Sequence, residues 1–310
     1  MKKTISAILI FLLIFYMLTK PAEAVAAAGN GLVLWYQTIL PTLLPFAVLS
    51  NLFISSNMFY MLSRFLYPIV RLFLPVSREG TFPVFAGFLF GFPMGSRISA
   101  VMLSENKLSY EEASVIFAVT NNMSPVFISS FILHHALKLP QLVIPTFIAL
   151  YLPAILLGRL LFYRQKKAQN APHKNTAPGF QVNFKIMDAA IMNGFETLTK
   201  LGGYIMLFSI IASLMNHLPL PTIGMKAFAV GLTEITNGIQ FTALTPLPIR
   251  QKYLLCVAFT AFGGISGLAQ TSSMVAESRL PMKNYVIIKS VLCVISVILA
   301  RLLYPIFLVG

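Results

Sequence analysis

Charge is what this chain of 310 residues has least of. Only 10% of its residues are Asp, Glu, Lys or Arg, against about a quarter in a soluble domain. With 57% hydrophobic residues and a mean hydropathy of +0.80, that scarcity excludes a water-soluble globule and predicts a polytopic membrane protein in the lipid bilayer. Acids are the scarcer sign, 9 against 23 basic residues, for a formal charge of +14. The bases fall mostly in short loops between apolar runs, as cytoplasmic loops do, so the excess is not read as nucleic-acid binding. Cysteine is nearly absent. Cys256 and Cys293 both sit in apolar runs without metal-ligand spacing, which excludes a disulfide framework and a thiolate metal site. No Walker loop, HExxH helix or nucleophile–base pair occurs, so no enzyme is expected. His134 and His135 would point about 100° apart on a helix and are not read as a metal site. No cofactor is expected.

What the chain does contain is polar punctuation inside apolar runs. The stretch from Gly87 to Phe131 holds Gly91, Pro93 and Gly95, then Ser96 and Arg97, then Asn121, Asn122, Ser124 and Pro125. Broken backbone and polar groups at membrane depth are tolerated only where protein buries them or a wet cavity meets them, so they mark a candidate site. The plainer alternative is a glycine packing seam, which does not require Arg97 or the Asn pair.

Around that stretch the chain divides as follows. Residues 1–29 carry Lys2, Lys3 and an apolar run, then the small residues Pro21-Ala22-Glu23-Ala24. They are either a signal-anchor helix or a cleavable signal, and the N-terminus is cytoplasmic either way. A span follows over 31–56, interrupted by Pro41 and Pro45. Arg64, Arg71 and Arg78 recur every seven residues, which predicts a helix lying in the cytoplasmic interface. Residues 82–103 read as a re-entrant hairpin or broken helix around Gly91–Gly95. Ser109 is placed to cap the next helix, with Glu111 and Glu112 in its first turn, and 141–163 form a plain span. The linker 164–185 has six Lys, Arg or His and no acid, so it is assigned to the cytoplasm, with His173 solvated. Beyond it come a short amphipathic helix at 188–200, an apolar run at 201–215, polar-interrupted segments at 228–244 and 254–273, and a plain span from Tyr285. His217 is assigned to the interface.

The pattern repeats. Arg159-Leu160-Leu161 matches Arg301-Leu302-Leu303 at an offset of 142 residues, and the same offset sets Asn121-Asn122 on Gly263-Gly264 and Ser124 on Ser266. Upstream the offset is 159, which places an insertion near residues 58–80. The expected fold is all-α, with two inverted repeats at 30–163 and 186–310, each holding a re-entrant or broken-helix hairpin. Inverted repeats with discontinuous helices meeting at the midplane are a transporter design.

The motifs GFPMGSRIS and NNMSPVFI, then GLTEITNGI and FGGISGLAQT, with AAAGNGLVLWYQTILPTLLPF near the start, together resemble the YlbJ-type sporulation integral membrane proteins. That group lies within the wider set carrying a nucleoside-recognition "Gate" domain. The resemblance covers roughly residues 20–305. It implies a multi-pass membrane protein of spore-forming bacteria, needed in endospore formation and linked to moving dipicolinate across the outer forespore membrane. The wider set also contains concentrative nucleoside transporters and parts of iron transporters, so the resemblance implies a transport fold more than a substrate.

On this reading the candidate substrate-binding residues are Gly91, Pro93, Gly95, Ser96, Arg97, Asn121, Asn122, Ser124, Glu234, Thr236, Asn237, Ser266, Gln270 and Thr271. Arg97 offers a planar fork for a carboxylate, or else it snorkels to the interface. Free N–H groups at the break favour anions. Glu234 would carry a proton, hold a coupling cation such as Na+, or pair with Arg97. Ser and Thr in membrane helices often bond only their own backbone. The expected ligand is a small polar, anionic solute such as dipicolinate. The competing readings are a non-transporting assembly or signalling protein and a nucleoside transporter. A homo-oligomer is left open.

A single cysteine placed in the linker, in a chain whose Cys256 and Cys293 are serine, is expected to react with a membrane-impermeant maleimide only after cells are opened. Labelling of intact cells would put the linker outside.

Overall fold

The computed structural model describes residues 2–165 and 183–307, and every regular element among them is helical. The linker at 164–185, with His173, lies almost wholly outside these residues. Helix α1 (Lys2–Thr19) leads into α2 (Pro21–Leu34), which Pro21 opens. A π-helical turn, Trp35–Ile39, then carries the chain straight into α3 (Leu40–Ser55). The cause of that turn is local. Pro41 has no N–H to give to Gln37, and the ladder slips by a residue, so that the Leu40 N–H bonds the Trp35 carbonyl. The division expected at residues 29 and 30 falls inside α2.

Helix α4 (Phe59–Phe73) is the amphipathic element at the arginine repeat. Phe59, Ser63 and Val70 are buried, while Arg64 and Arg71 are exposed beside Phe65, Ile69 and Leu72. Exposed cations among exposed large apolar groups suit the membrane interface. It meets α5 (Arg78–Phe90) at 76°, and the guanidinium groups of Arg71 and Arg78 both lie over the Tyr67 ring.

Helix α5 packs against α6 (Met94–Ser104) across the break at Gly91–Pro93. Arms of 13 and 11 residues reach about 20 Å at most, short of a bilayer core, so together they form a hairpin. Next comes α7 (Tyr110–Thr120), capped by the Ser109 hydroxyl, which accepts from the Glu112 N–H. The chain unwinds at Asn121–Ser124 and resumes as a π-type helix, Phe127–Ala136. A 3-10 turn, Pro140–Leu142, opens the long α8 (Val143–Gln165).

Helix α9 (Phe184–His217) corrects one expectation. The amphipathic piece at 188–200 and the apolar run at 201–215 are one unbroken helix. Gly194 and Gly202 do not interrupt it because neighbouring side chains take the space a Cβ would fill: Val48 lies against Gly194, and the Trp35 ring against Gly202. The Trp35 indole N–H also donates to the Leu198 carbonyl at 2.7 Å. At 34 residues, α9 is about 50 Å long, more than a bilayer core needs.

The second hairpin is α10 (Ile223–Thr233) and α11 (Ile235–Leu244), broken at Glu234. Then α12 (Ile249–Phe262) and α13 (Gly264–Met274) are broken at Gly263, whose φ of 95° is left-handed, and α14 (Met282–Leu303) follows. The element order of the first half thus recurs. The offset of 142 sets Phe92 on Glu234 and Asn121 on Gly263, and all four lie at breaks. Each hairpin also closes on glycines. Gly95 lies against Gly87, and a Cβ on Gly238 would overlap the Gly231 Cα. Five described stretches are long and apolar enough to cross a membrane: Pro21–Ser55, Pro140–Arg164, Phe184–His217, Ile249–Met274 and Met282–Leu303. A sixth is added if the bent α4–α5 pair is counted. The chain is a multi-pass membrane protein.

Gly238→Val is expected to lower Tm by several degrees, since overpacking a close backbone crossing costs about 1–3 kcal/mol. Thermal unfolding in detergent checks this, and an unchanged Tm would show the α10–α11 crossing is loose.

Candidate functional site

Each of the four interruptions starts a new half-helix, and two of the starts are capped by a side chain. Pro93 stands at the N-cap of α6, and Gly263 at that of α13. The Ser124 hydroxyl accepts from the Phe127 N–H at 3.2 Å. The Glu234 carboxylate accepts from both the backbone N–H and the side-chain amide of Asn237, each at 2.8 Å. These four residues all stand on the wall of one cavity of about 480 Å³. Thr236, Ser266 and Gln270 add polar groups to the same wall, with the Gln270 amide donating to Ser266 Oγ at 2.8 Å. The rest of the wall is mainly apolar and rich in rings: Phe46 stacks on Phe90, Phe127 stacks on Phe131, and Phe92 completes the set.

Six of the residues singled out in the sequence therefore meet at the cavity: Pro93, Ser124, Glu234, Thr236, Ser266 and Gln270. The others lie behind or away from it. Gly91, at φ 75°, brings the hairpin turn against the Ser124 backbone. Gly95 lies against Thr120 and Gly87. Asn121 is the centre of a buried network. Its amide donates to Thr271 Oγ1 at 3.1 Å and to the Tyr285 hydroxyl at 2.9 Å, and its carbonyl accepts from the Ser96 N–H at 3.3 Å. Asn237 also donates to Ser209 Oγ at 3.0 Å.

Asn122 ties the first break to the hairpin. Its main-chain carbonyl accepts from the Phe92 N–H at 2.6 Å, and its amide donates to the Val119 carbonyl at 2.7 Å.

Arg97 does not join this group. It is half-buried on α6, and its electrostatic partners are Glu196 and Glu277 rather than Glu234. Its Nε is buried without a hydrogen bond. An Arg97–Glu234 ion pair, one of the roles open to Glu234, is not made; the Glu234 carboxylate caps α11 instead.

Two residues escaped the sequence reading. The last span was read as plain, yet Lys289 on α14 is only 1% exposed, and its ammonium donates to Asn122 Oδ1 at 2.8 Å. Tyr285, one turn earlier, is equally enclosed and belongs to the Asn121 network. The signal for Lys289 was present: it is the only charge between Lys283 and Arg301, and a lone charge in a span is a functional marker in itself.

Compared with known proteins, the chain is 25% identical over 323 aligned positions to the sporulation integral membrane protein YlbJ of Bacillus subtilis (strain 168), covering 93% of this chain and 79% of that protein. It is a homologue of that membrane protein along most of its length. No family model matches the chain, and no solved structure does.

Asn121→Leu would leave a buried N–H of Ser96 and the hydroxyls of Thr271 and Tyr285 without this partner. It is expected to cost about 1–3 kcal/mol, read as a lowered Tm. A wild-type Tm would mean that the network rearranges without loss.

Proposed function

We propose that the protein carries a small, flat, anionic solute through the membrane, with dipicolinate the first candidate, and that it acts in endospore formation as its relative's name suggests. One observation carries this reading: the N-caps of four half-helices, Pro93, Ser124, Glu234 and Gly263, share one cavity wall. A helix N-terminus presents the positive end of its dipole. Four of them around one space favour negative charge, as broken helices do in transporters. The phenyl rings on the remaining wall suit a planar aromatic body. The volume is that of a small-molecule site.

On this reading the two halves are inverted. The α5–α6 arms open toward the end where Lys107 reaches the Ile54 carbonyl and Tyr110 meets Arg279. The α10–α11 arms open toward the end where His217 meets Glu23. Hairpins entering from opposite sides would let each face of the membrane reach the cavity in turn. Glu234 is the one ionisable group on the described wall. An anion arriving beside it is favoured if a proton arrives too, which gives Glu234 a coupling role.

Saturable uptake of labelled dipicolinate into proteoliposomes is the expected result. Thr236→Val and Gln270→Leu should each reduce it about tenfold, on the scale of one or two lost hydrogen bonds, while the protein still inserts. Competition by nucleosides would move the substrate to that class. Saturable uptake of no tested solute would favour a non-transporting role.

A further inference from the structure

Lys289 has a charge that none of the foregoing uses. It lies in the middle of a membrane helix, 1% exposed, and forms no ion pair among the described residues. Burying an unpaired ammonium is expensive, so its surroundings must supply negative potential from dipoles. They do so in three ways. Asn122 Oδ1 accepts from the ammonium at 2.8 Å. The Tyr285 ring centroid lies 5.9 Å away. Asn122 also sits just past the end of α7, where the last carbonyls of a helix present the negative end of its dipole.

That is the setting in which a discontinuous membrane helix binds a free monovalent cation: unwound backbone plus a helix C-terminus. Here the cation arrives on a side chain. We propose that Lys289 is a tethered cation. Its ammonium holds the place at the end of α7 where Na+ would otherwise bind, so the break at Asn121–Ser124 is closed without a metal ion.

The consequence reaches across the molecule. Lys289 belongs to α14, the last helix of the second half. Through Asn122, whose main-chain carbonyl accepts from Phe92, it holds the turn of the first hairpin. The ammonium therefore fastens the two halves at the break itself. Lys289 is a positioning residue, since it does not stand on the cavity wall. Na+-independent transport follows only if the transport reading is right, whereas occupancy of the site by the ammonium does not depend on it.

The test uses the full chain purified in detergent, with Tm measured in sodium chloride and in choline chloride, whose cation is too bulky for the site. The wild type is expected to unfold at the same temperature in both. Lys289→Met, which keeps the bulk and removes the charge, should lower Tm by about 5 °C, because Asn122 Oδ1 is left as a buried acceptor without this donor. Lys289→Ala should fall as far and regain part of the loss in Na+ or methylammonium but not in choline. A wild type stabilised by Na+ over choline, a Met variant as stable as wild type, or no cation-specific recovery in the Ala variant would each overturn the proposal. If the Ala variant does not accumulate, the wild-type comparison and the Met variant decide. In proteoliposomes, dipicolinate uptake should be equal in Na+ and choline. No uptake in either would count against the transport reading while leaving the Tm result to judge Lys289.

Discussion

Within a bilayer every backbone N–H and C=O must find a partner inside the protein. A helix broken at membrane depth frees several of these groups, and this chain breaks four times. One break is closed from the neighbouring break, and two by a cap within their own first turn. The Phe92 N–H goes to Asn122, the Phe127 N–H to Ser124, and the Asn237 N–H to Glu234. The two asparagines at 121 and 122 are held by residues from beyond the linker: Asn121 by Thr271 and Tyr285, and Asn122 by Lys289. Side chains from before and after the linker are thus tied together at this one break.

The breaks themselves were legible in the sequence, because their cause is local. Gly91 and Gly263 adopt positive φ, which few residues other than glycine tolerate. Pro93 and Pro125 lack a donor. Glu234 stands out as an acid in an apolar run. The offset of 142 residues was legible for the same reason, since breaks at Phe92 and Glu234, and at Asn121 and Gly263, leave similar punctuation.

Direction was less legible. Which way Asn121, Arg97 or Thr271 points depends on how half-helices rotate after an interruption, and packing sets that rotation. Arg97 is felt electrostatically by Glu196 and Glu277 rather than by Glu234, and no spacing rule in the sequence says so. The continuity of α9 was hidden too, because the amphipathic stretch at 188–200 and the apolar run at 201–215 differ in character although one helix carries both. Lys289 was passed over for a different reason: the surrounding span looked uniformly apolar, and one charge barely alters an average.

The contact between Trp35 and α9 has a use of its own. The chain has a single tryptophan, and its indole rests on Gly202 and bonds the Leu198 carbonyl, at the seam between the α2–α3 stretch and the first helix of the second half. All indole fluorescence from the protein therefore originates at this one seam. Sliding of α9 along α2 and α3 would change the hydration and hydrogen bonding of that ring, so the unlabelled protein carries a native optical probe of any movement at this seam.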